Sequence, residues 1–306
     1  EISPRDFLFR CREFDMMEIE YFMDPNKEEC PFIKEVLNYE LNFYSAEMQE
    51  KGKKPLIMKV KDALRRKMIS EWHAYWLATE QKWFVSLGAN PDNFRIRQHL
   101  KKEKSHYALD TWDLEYNFPF GWKELQGIAN RTDFDLKQHM KFSGEDLSIF
   151  DEESKKKVVP YVVAEPSLGV ERAFLVFMFD SYIHDQKRGN VVLKLNPKLA
   201  PVKVAVFPLV NKLEKEAKEV YNLLKNDFNC SYDKSGSVGR RYARNDEIGT
   251  PYCVTIDFDS LKKKDVTIRN RDNTRQIRIK AKELKETIRK LVNNEIKFEE
   301  AGKLIR

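Results

Sequence analysis

The sequence predicts a mixed α/β (α+β) protein of two domains, residues 1–195 and 196–306. Three observations carry this. Strand-like stretches flank a long helical stretch in the first part. A linker over 190–201, with Asn196-Pro197 and Pro201, is followed by a fresh strand–helix pattern. Charge also divides there: residues 197–306 hold 25 Lys/Arg against 16 Asp/Glu, and the remainder 30 against 33.

Residues 7–22, rich in aromatic side chains, with the β-branched Ile19 and no Gly or Pro, predict a long strand. Residues 32–50 and 60–85 predict helices. In the second, Ala63, Leu64, Met68, Ile69, Trp72, Tyr75, Trp76 and Leu77 recur near a 3.6 period. Asn90-Pro91-Asp92 predicts a turn opening a further helix through Arg95–Tyr107. The stretch of about 26–110 is thus expected to be a helical insertion in a β-rich core. Strands resume at 122–130 and 158–165. Pro166-Ser167-Leu168-Gly169 breaks the pattern, and Val170–Tyr182 predicts a buried apolar helix. After the linker come a buried strand at Val202–Phe207, an amphipathic helix at Asn211–Lys225 and a strand at Cys253–Phe258. A polar hairpin at Val266–Ile279 and a closing helix at Ala281–Asn293 complete the chain.

Composition, 42% apolar and 34% charged, fits a folded soluble protein. The longest apolar run, Ala173 to Phe179, is too short to span a bilayer, so no membrane association is expected. Cys11, Cys30, Cys230 and Cys253 lack zinc spacing and imply no disulfide framework; reduced thiols fit a cytoplasmic location. The five histidines form no cluster and are expected to be surface or core residues. A basic second half points to a polyanion or to a solvated surface. The chain opens at Glu1, without Met, directly before a strand-like stretch, which raises the expectation of a missing earlier segment.

Some residues are hard to place in a core. On a strand, Arg10, Arg12, Phe14, Met16 and Glu18 share one face, which suits either solvent or a ligand with phosphates, a flat ring and an amine. Arg172 falls in the first turn of a helix, where a cation opposes the dipole unless an anion or an ion pair compensates. Gly127 inside a strand marks a bulge or the close approach of a ligand or backbone. Glu124 on that strand has the chemistry to hold a divalent ion over phosphates.

Glu1-Ile2-Ser3-Pro4-Arg5, Arg10-Cys11-Arg12-Glu13-Phe14 and Met17-Glu18-Ile19-Glu20 resemble motif 2 of class II aminoacyl-tRNA synthetases, in the wording of the archaeal and eukaryotic glycyl-tRNA synthetase family. Glu165-Pro166-Ser167 with Gly169 and Arg172 resembles motif 3. Gly121-Trp122…Glu124…Gly127…Arg131, the stretch from Arg97-Gln98-His99 to Trp112-Asp113, and Gly239 to Pro251 are similar to the same family, in the same order. The resemblance implies an antiparallel-sheet class II core, then a mixed-sheet α/β anticodon-binding domain. It implies an ATP-dependent ligase that joins glycine to tRNA(Gly), with Mg2+ as cofactor and a homodimer as assembly; no DNA partner is expected. ATP would be bound by Glu1, Arg10, Cys11, Phe14, Glu124, Leu125 and Arg172, with Glu124 also serving magnesium. Glycine would lie among Glu18, Glu165, Pro166 and Ser167. In the basic domain Arg269, Arg271, Arg275 and Arg278 are the candidates for tRNA phosphates. Motif 1 and the motif 2 Arg upstream of Glu1 are expected to belong to the missing segment. The alternative is a non-catalytic, synthetase-like RNA-binding or accessory subunit.

Overall fold

A computed structural model describes residues 3–27, 29–152 and 154–305. The chain forms two compact units, 1–176 and 177–306, so the hairpin of the linker region goes with the second.

The first unit contains β1 (Met16–Glu18), β2 (Tyr21–Met23), β3 (Glu40–Tyr44), α1 (Ala46–Glu50), β4 (Leu56–Lys59), α2 (Val60–Arg65), α3 (Glu71–Ser86) and β5 (Phe94–Gln98). These are followed by β6 (Asp110–Phe118), β7 (Gly121–Asn130), α4 (Phe134–Ser143), a small hairpin of β8 (Ile149–Asp151) and β9 (Lys156–Val158), β10 (Tyr161–Gly169) and the start of α5 (Val170–Ser181). The main sheet runs β1-β10-β7-β6-β5-β3-β4, with β2 also on β10; all pairs are antiparallel except β3 with β5. Side chains alternate across the pleat. One face presents Phe43, Ile96, Leu114, Gln126, Leu168 and Met17 in register, with Trp112 opposite Ile128 in the adjoining row. Most of this face is buried, and α3 packs against it through β6, β7 and β10. Ser70 caps α3, its hydroxyl accepting from the backbone N–H of His73 at 3.2 Å.

Three expectations for this unit are corrected. The long strand predicted over 7–22 is a 3-10 turn at Phe7–Phe9, a loop, and the short β1 and β2. Asp6 and Phe7 adopt φ +54° and +55°, and the Arg5 N–H donates to the Arg10 carbonyl, which folds the segment back on itself. The region 26–110 is not simply a helical insertion, because β3, β4 and β5 lie in the main sheet. Leu41 and Phe43 are buried between Glu40, Asn42 and Tyr44, a period-two signal too short to stand out from a helical window. Phe94 and Ile96 likewise alternate with Arg95 and Arg97, so the predicted helix from Arg95 begins instead as β5.

The second unit opens on the rest of α5 and the hairpin of β11 (Tyr182–Asp185) and β12 (Asn190–Leu193). Its six-stranded sheet comprises β13 (Val204–Pro208), β14 (Cys230–Tyr232), β15 (Tyr252–Ile256), β16 (Asp265–Asn270), β17 (Gln276–Lys280) and β18 (Lys303–Ile305). The order is β14-β13-β15-β16-β17-β18, parallel at β14, β13 and β15 and antiparallel beyond, which is the mixed sheet expected. The helices are α6 (Glu214–Leu224), α7 (Val238–Glu247), α8 (Phe258–Lys263) and α9 (Leu284–Val292). Leu213, Ala217 and Leu224 join Leu284, Ile288 and Leu291 over Val204, Val206 and Val254 to form the larger core.

The other side of this sheet carries a small apolar cluster, Ala205, Phe207 and Cys253 beside Tyr242, together with buried charge. Asp246 on α7 is 2% exposed and accepts from both terminal nitrogens of Arg269, at 2.8 and 2.9 Å, and from Arg188 at 3.2 Å. The Arg269 guanidinium also lies 4.6 Å from the Tyr242 ring centre. Removing one member of a buried charge network leaves the others uncompensated, at a cost of about 3–5 kcal/mol. Asp246→Ala is therefore expected to lose about that much in a denaturant titration of the second unit's transition. A loss under about 1 kcal/mol, the scale of an exposed pair, would contradict this account.

Candidate active site

The face of the main sheet opposite α3 is polar because the register puts polar residues in rows. Asp113 on β6, Gly127 on β7, Ser167 on β10 and Glu18 on β1 stand opposite one another, and Arg97 on β5 extends the row. The next row holds Thr111, Ala129 and Glu165. Four carboxylates, those of Glu18, Asp113, Glu124 and Glu165, line a cavity of about 280 Å³ together with Ser167 and His99.

The acids are braced by His99 within the cavity lining and by Arg131 behind it. His99 Nε2 lies 2.8 Å from both oxygens of Asp113. Burial pushes the Asp113 carboxyl up to about 6; the His99 hydrogen bond opposes this and the nearby charge of Glu124 adds to it. The hydrogen bond to Asp113 holds His99 above the usual imidazole range. Arg131 donates through Nη1 to both oxygens of Glu165, at 2.9 and 3.1 Å, and through Nε to Asp135 at 2.6 Å. Burial nevertheless raises the Glu165 carboxyl, and the Glu18 charge adds to this against the pull of Arg131. The cavity has more acid than its own cations neutralise, so it suits a cationic ligand such as a primary ammonium, held by charge-assisted hydrogen bonds.

An adjoining cavity of about 270 Å³ is lined by Arg10, Cys11, Phe14, Leu125 and Arg172, and it shares Glu124 and Ser167 with the first. Phe14 is 45% exposed, which leaves ring surface available for stacking. Arg172 sits in the first turn of α5; its Nη1 donates to the Glu124 carbonyl at 2.7 Å and lies 3.4 Å from Glu124 Oε1. The guanidinium lies 4.4 Å from the Phe9 ring centre. Beside it, Arg5, Arg10 and Lys123 line a further hollow of about 220 Å³. Several cations near a helix N-terminus, next to an exposed aromatic ring, suit a ligand with phosphates and a flat ring system.

Arg10, Cys11, Phe14, Glu124, Leu125 and Arg172 are thus brought together at one cavity, and Glu18, Glu165 and Ser167 at the other. Glu1 lies outside the described residues. Pro166 is buried in register with Ile128, on the sheet's opposite face, and its carbonyl accepts from the Ile19 N–H at 3.0 Å. It shapes β10 rather than lining the cavity. Roles for His99 and Asp113 were missed; the signal was His99 directly after an Arg-x-Arg-x strand, facing an Asp between apolar residues. Among the described residues, no group of three or more His, Cys, Asp or Glu side chains is placed to hold a metal ion. Glu124, half exposed at the junction, fits the lesser part of supplementing an ion held mainly by phosphates.

The basic candidates of the second unit need correction. Arg269 and Arg271 are 6% and 1% exposed. Arg269 is taken up by Asp246, and Arg271 donates to the carbonyls of Gly249 and Leu195. Both point into the fold, because alternation on β16 and the following turn carries them under α7, and neither is free to meet a phosphate. Arg275 is exposed and pairs with Glu299 at 2.8 Å. Arg278 is tied to Asp257 and Asp265.

Residues 203–291 match the anticodon binding domain family. A protein of Acetivibrio thermocellus named glycine–tRNA ligase is 45% identical over 287 residues, 93% of this chain and 53% of that protein. Proteins of the same name from Caldanaerobacter subterraneus subsp. tengcongensis and Clostridium kluyveri are 46% and 41% identical, over 91% and 95% of this chain and 52% and 55% of theirs. The chain is therefore similar over more than nine-tenths of its length to proteins named glycine–tRNA ligase, and it spans about half the length of each.

Proposed function

We propose that the chain is the ATP- and glycine-binding part, with the anticodon-binding part, of a glycine–tRNA ligase of the archaeal and eukaryotic kind. The observation that supports this best is the pair of cavities meeting at Glu124 and Ser167. One is acidic and built around a glycine of the chain; the other offers Arg172, Arg10 and Phe14. The first matches an amino acid that presents an ammonium and no side chain, the second an adenine nucleotide. Their junction is where a carboxylate and an α-phosphate would meet.

In this reading Phe14 stacks on adenine, and Arg10 with the Cys11 segment contacts the nucleotide. Arg172 leaves Glu124 to take the γ-phosphate. Glu18, Glu165 and Ser167 surround the ammonium, with Arg131 holding Glu165 in place. Glycine's carboxylate attacks the α-phosphate in line, giving glycyl-adenylate and pyrophosphate; glycine then passes to the 3′ end of tRNA(Gly). No side chain is needed as a covalent nucleophile. The residues bind, orient and neutralise charge. Magnesium, when bound over the phosphates, neutralises part of their charge, and Glu124 is the carboxylate we assign to it. The second unit, with its net positive charge, would engage the tRNA through exposed cations, which removes Arg269 and Arg271 from that role. No helix among the described residues is long and apolar enough to cross a membrane. We place the enzyme in the cytoplasm, as a homodimer.

Two variants test this reading in the longest natural polypeptide that carries the sequence. Glu18→Gln removes a charge partner of the ammonium. Glycine-dependent ATP–pyrophosphate exchange should weaken by about 1.5–3 kcal/mol in kcat/KM for glycine, with ATP affinity retained. Unchanged exchange would take Glu18 out of the site. Arg172→Ala should weaken ATP binding or activation by a similar amount, about 1.5–3 kcal/mol, while thermal unfolding stays near that of the parent. Normal ATP kinetics in that variant would contradict the nucleotide assignment.

A further inference from the structure

Gly127 has no structural reason to be glycine. Its φ lies outside the left-handed region. It sits in regular ladder on both sides, opposite Asp113 and Ser167; the irregularity in the β6–β7 pairing falls one step away, between Leu114 and Glu115. A Cβ at this position would meet nothing nearer than Asp113 Oδ1 at 3.9 Å and Glu124 Oε1 at 4.0 Å, ordinary contact distances. Glycine inside a strand weakens it, through backbone entropy and the lack of a side chain to pack. The fold would therefore accept alanine here, and the bare position leaves room for something outside the folded chain.

The surroundings say what that something is. The bare position forms part of the floor of the acidic cavity, in the row between Asp113 and Ser167 and beside the Glu124 carboxylate. A ligand seated there meets carboxylates and a hydroxyl and lies directly on backbone. Ala129, one row further on the same face, keeps the neighbouring floor low as well.

We infer that Gly127 is a specificity-determining residue: its missing side chain is the seat for the ammonium and α-carbon of the bound amino acid. This rests on the proposed glycine site and deepens it. The Glu18, Glu165 and Ser167 groups supply the hydrogen bonds, while Gly127 supplies the space in which an unsubstituted α-carbon can reach them. Adding one methyl at Gly127 fills that space from the protein's side, without moving any protein atom.

The test is Gly127→Ala in the longest natural polypeptide that carries the sequence. Glycine binding is measured by calorimetry, and glycine and ATP kinetics by ATP–pyrophosphate exchange, beside the unaltered protein. The apparent KM for glycine should rise, or kcat/KM for glycine fall, by about 10–200-fold, the range for one methylene in a tight pocket. The KM for ATP should stay within about twofold, because Gly127 does not line the nucleotide cavity, and the melting temperature should be equal or slightly higher. Three results would overturn the inference. Unchanged glycine kinetics would show that the substrate does not lie on Gly127, with the glycine site itself left standing. A large drop in melting temperature would show that the fold needs the bare position. An unaltered protein that neither binds nor activates glycine would remove the inference together with the function it rests on.

Discussion

The first unit depends on one constraint: β1, β10, β7 and β6 must pair in a single register. The pleat then sends Leu114, Gln126, Leu168 and Met17 to one face and Asp113, Gly127, Ser167 and Glu18 to the other. A slip of one residue would exchange the two sets, placing carboxylates against α3 and apolar groups in the cavity. Burial of Trp112, Leu114 and Ile128 beneath α3 therefore holds the polar row in place from behind. The cavity is assembled from segments far apart in sequence, and the stability of the apolar face keeps them aligned.

The acid-rich face would be unstable without bracing, because carboxylates crowded together repel one another. The groups that brace it are two arginines and a histidine around its rim. Arg131 grips Glu165 and Asp135 together, His99 grips Asp113, and Arg97 pairs with Glu103 beside them. These contacts orient the acids while leaving the centre over Gly127 clear. The second unit uses buried charge differently. Asp246 gathers Arg188 and Arg269 so tightly that they become internal supports, and the arginine count of the sequence overstates how many cations reach the surface.

Much of this was legible in the sequence, for particular physical reasons. α5 and β13 follow from continuous apolar runs and α6 and α9 from amphipathic periods, whereas β14 and α7 carry no such signal and were not expected. The grouping of Arg10, Phe14, Glu124 and Arg172 followed from family-like motifs and from charges that no core would tolerate. What was not legible came from short or non-local causes. β3 and β5 are five-residue strands inside stretches with helical composition. The first strand failed because left-handed backbone at Asp6 and Phe7 turns the chain. Arg269 and Arg271 seemed available because alternation alone does not reveal which face α7 covers. His99 seemed isolated because its partner Asp113 belongs to another strand.

The central claim is geometric: the amino acid lies on Gly127, with its ammonium toward Glu18 and Glu165 and the nucleotide in the adjoining cavity. The most direct measurement is a crystal structure of the full-length protein with a non-hydrolysable glycyl-adenylate analogue. The account predicts the glycyl α-carbon in van der Waals contact with the Gly127 backbone, the ammonium within hydrogen-bond reach of Glu18, Glu165 or Ser167, and adenine stacked on Phe14. A glycyl group elsewhere, with open solvent over Gly127, would contradict it.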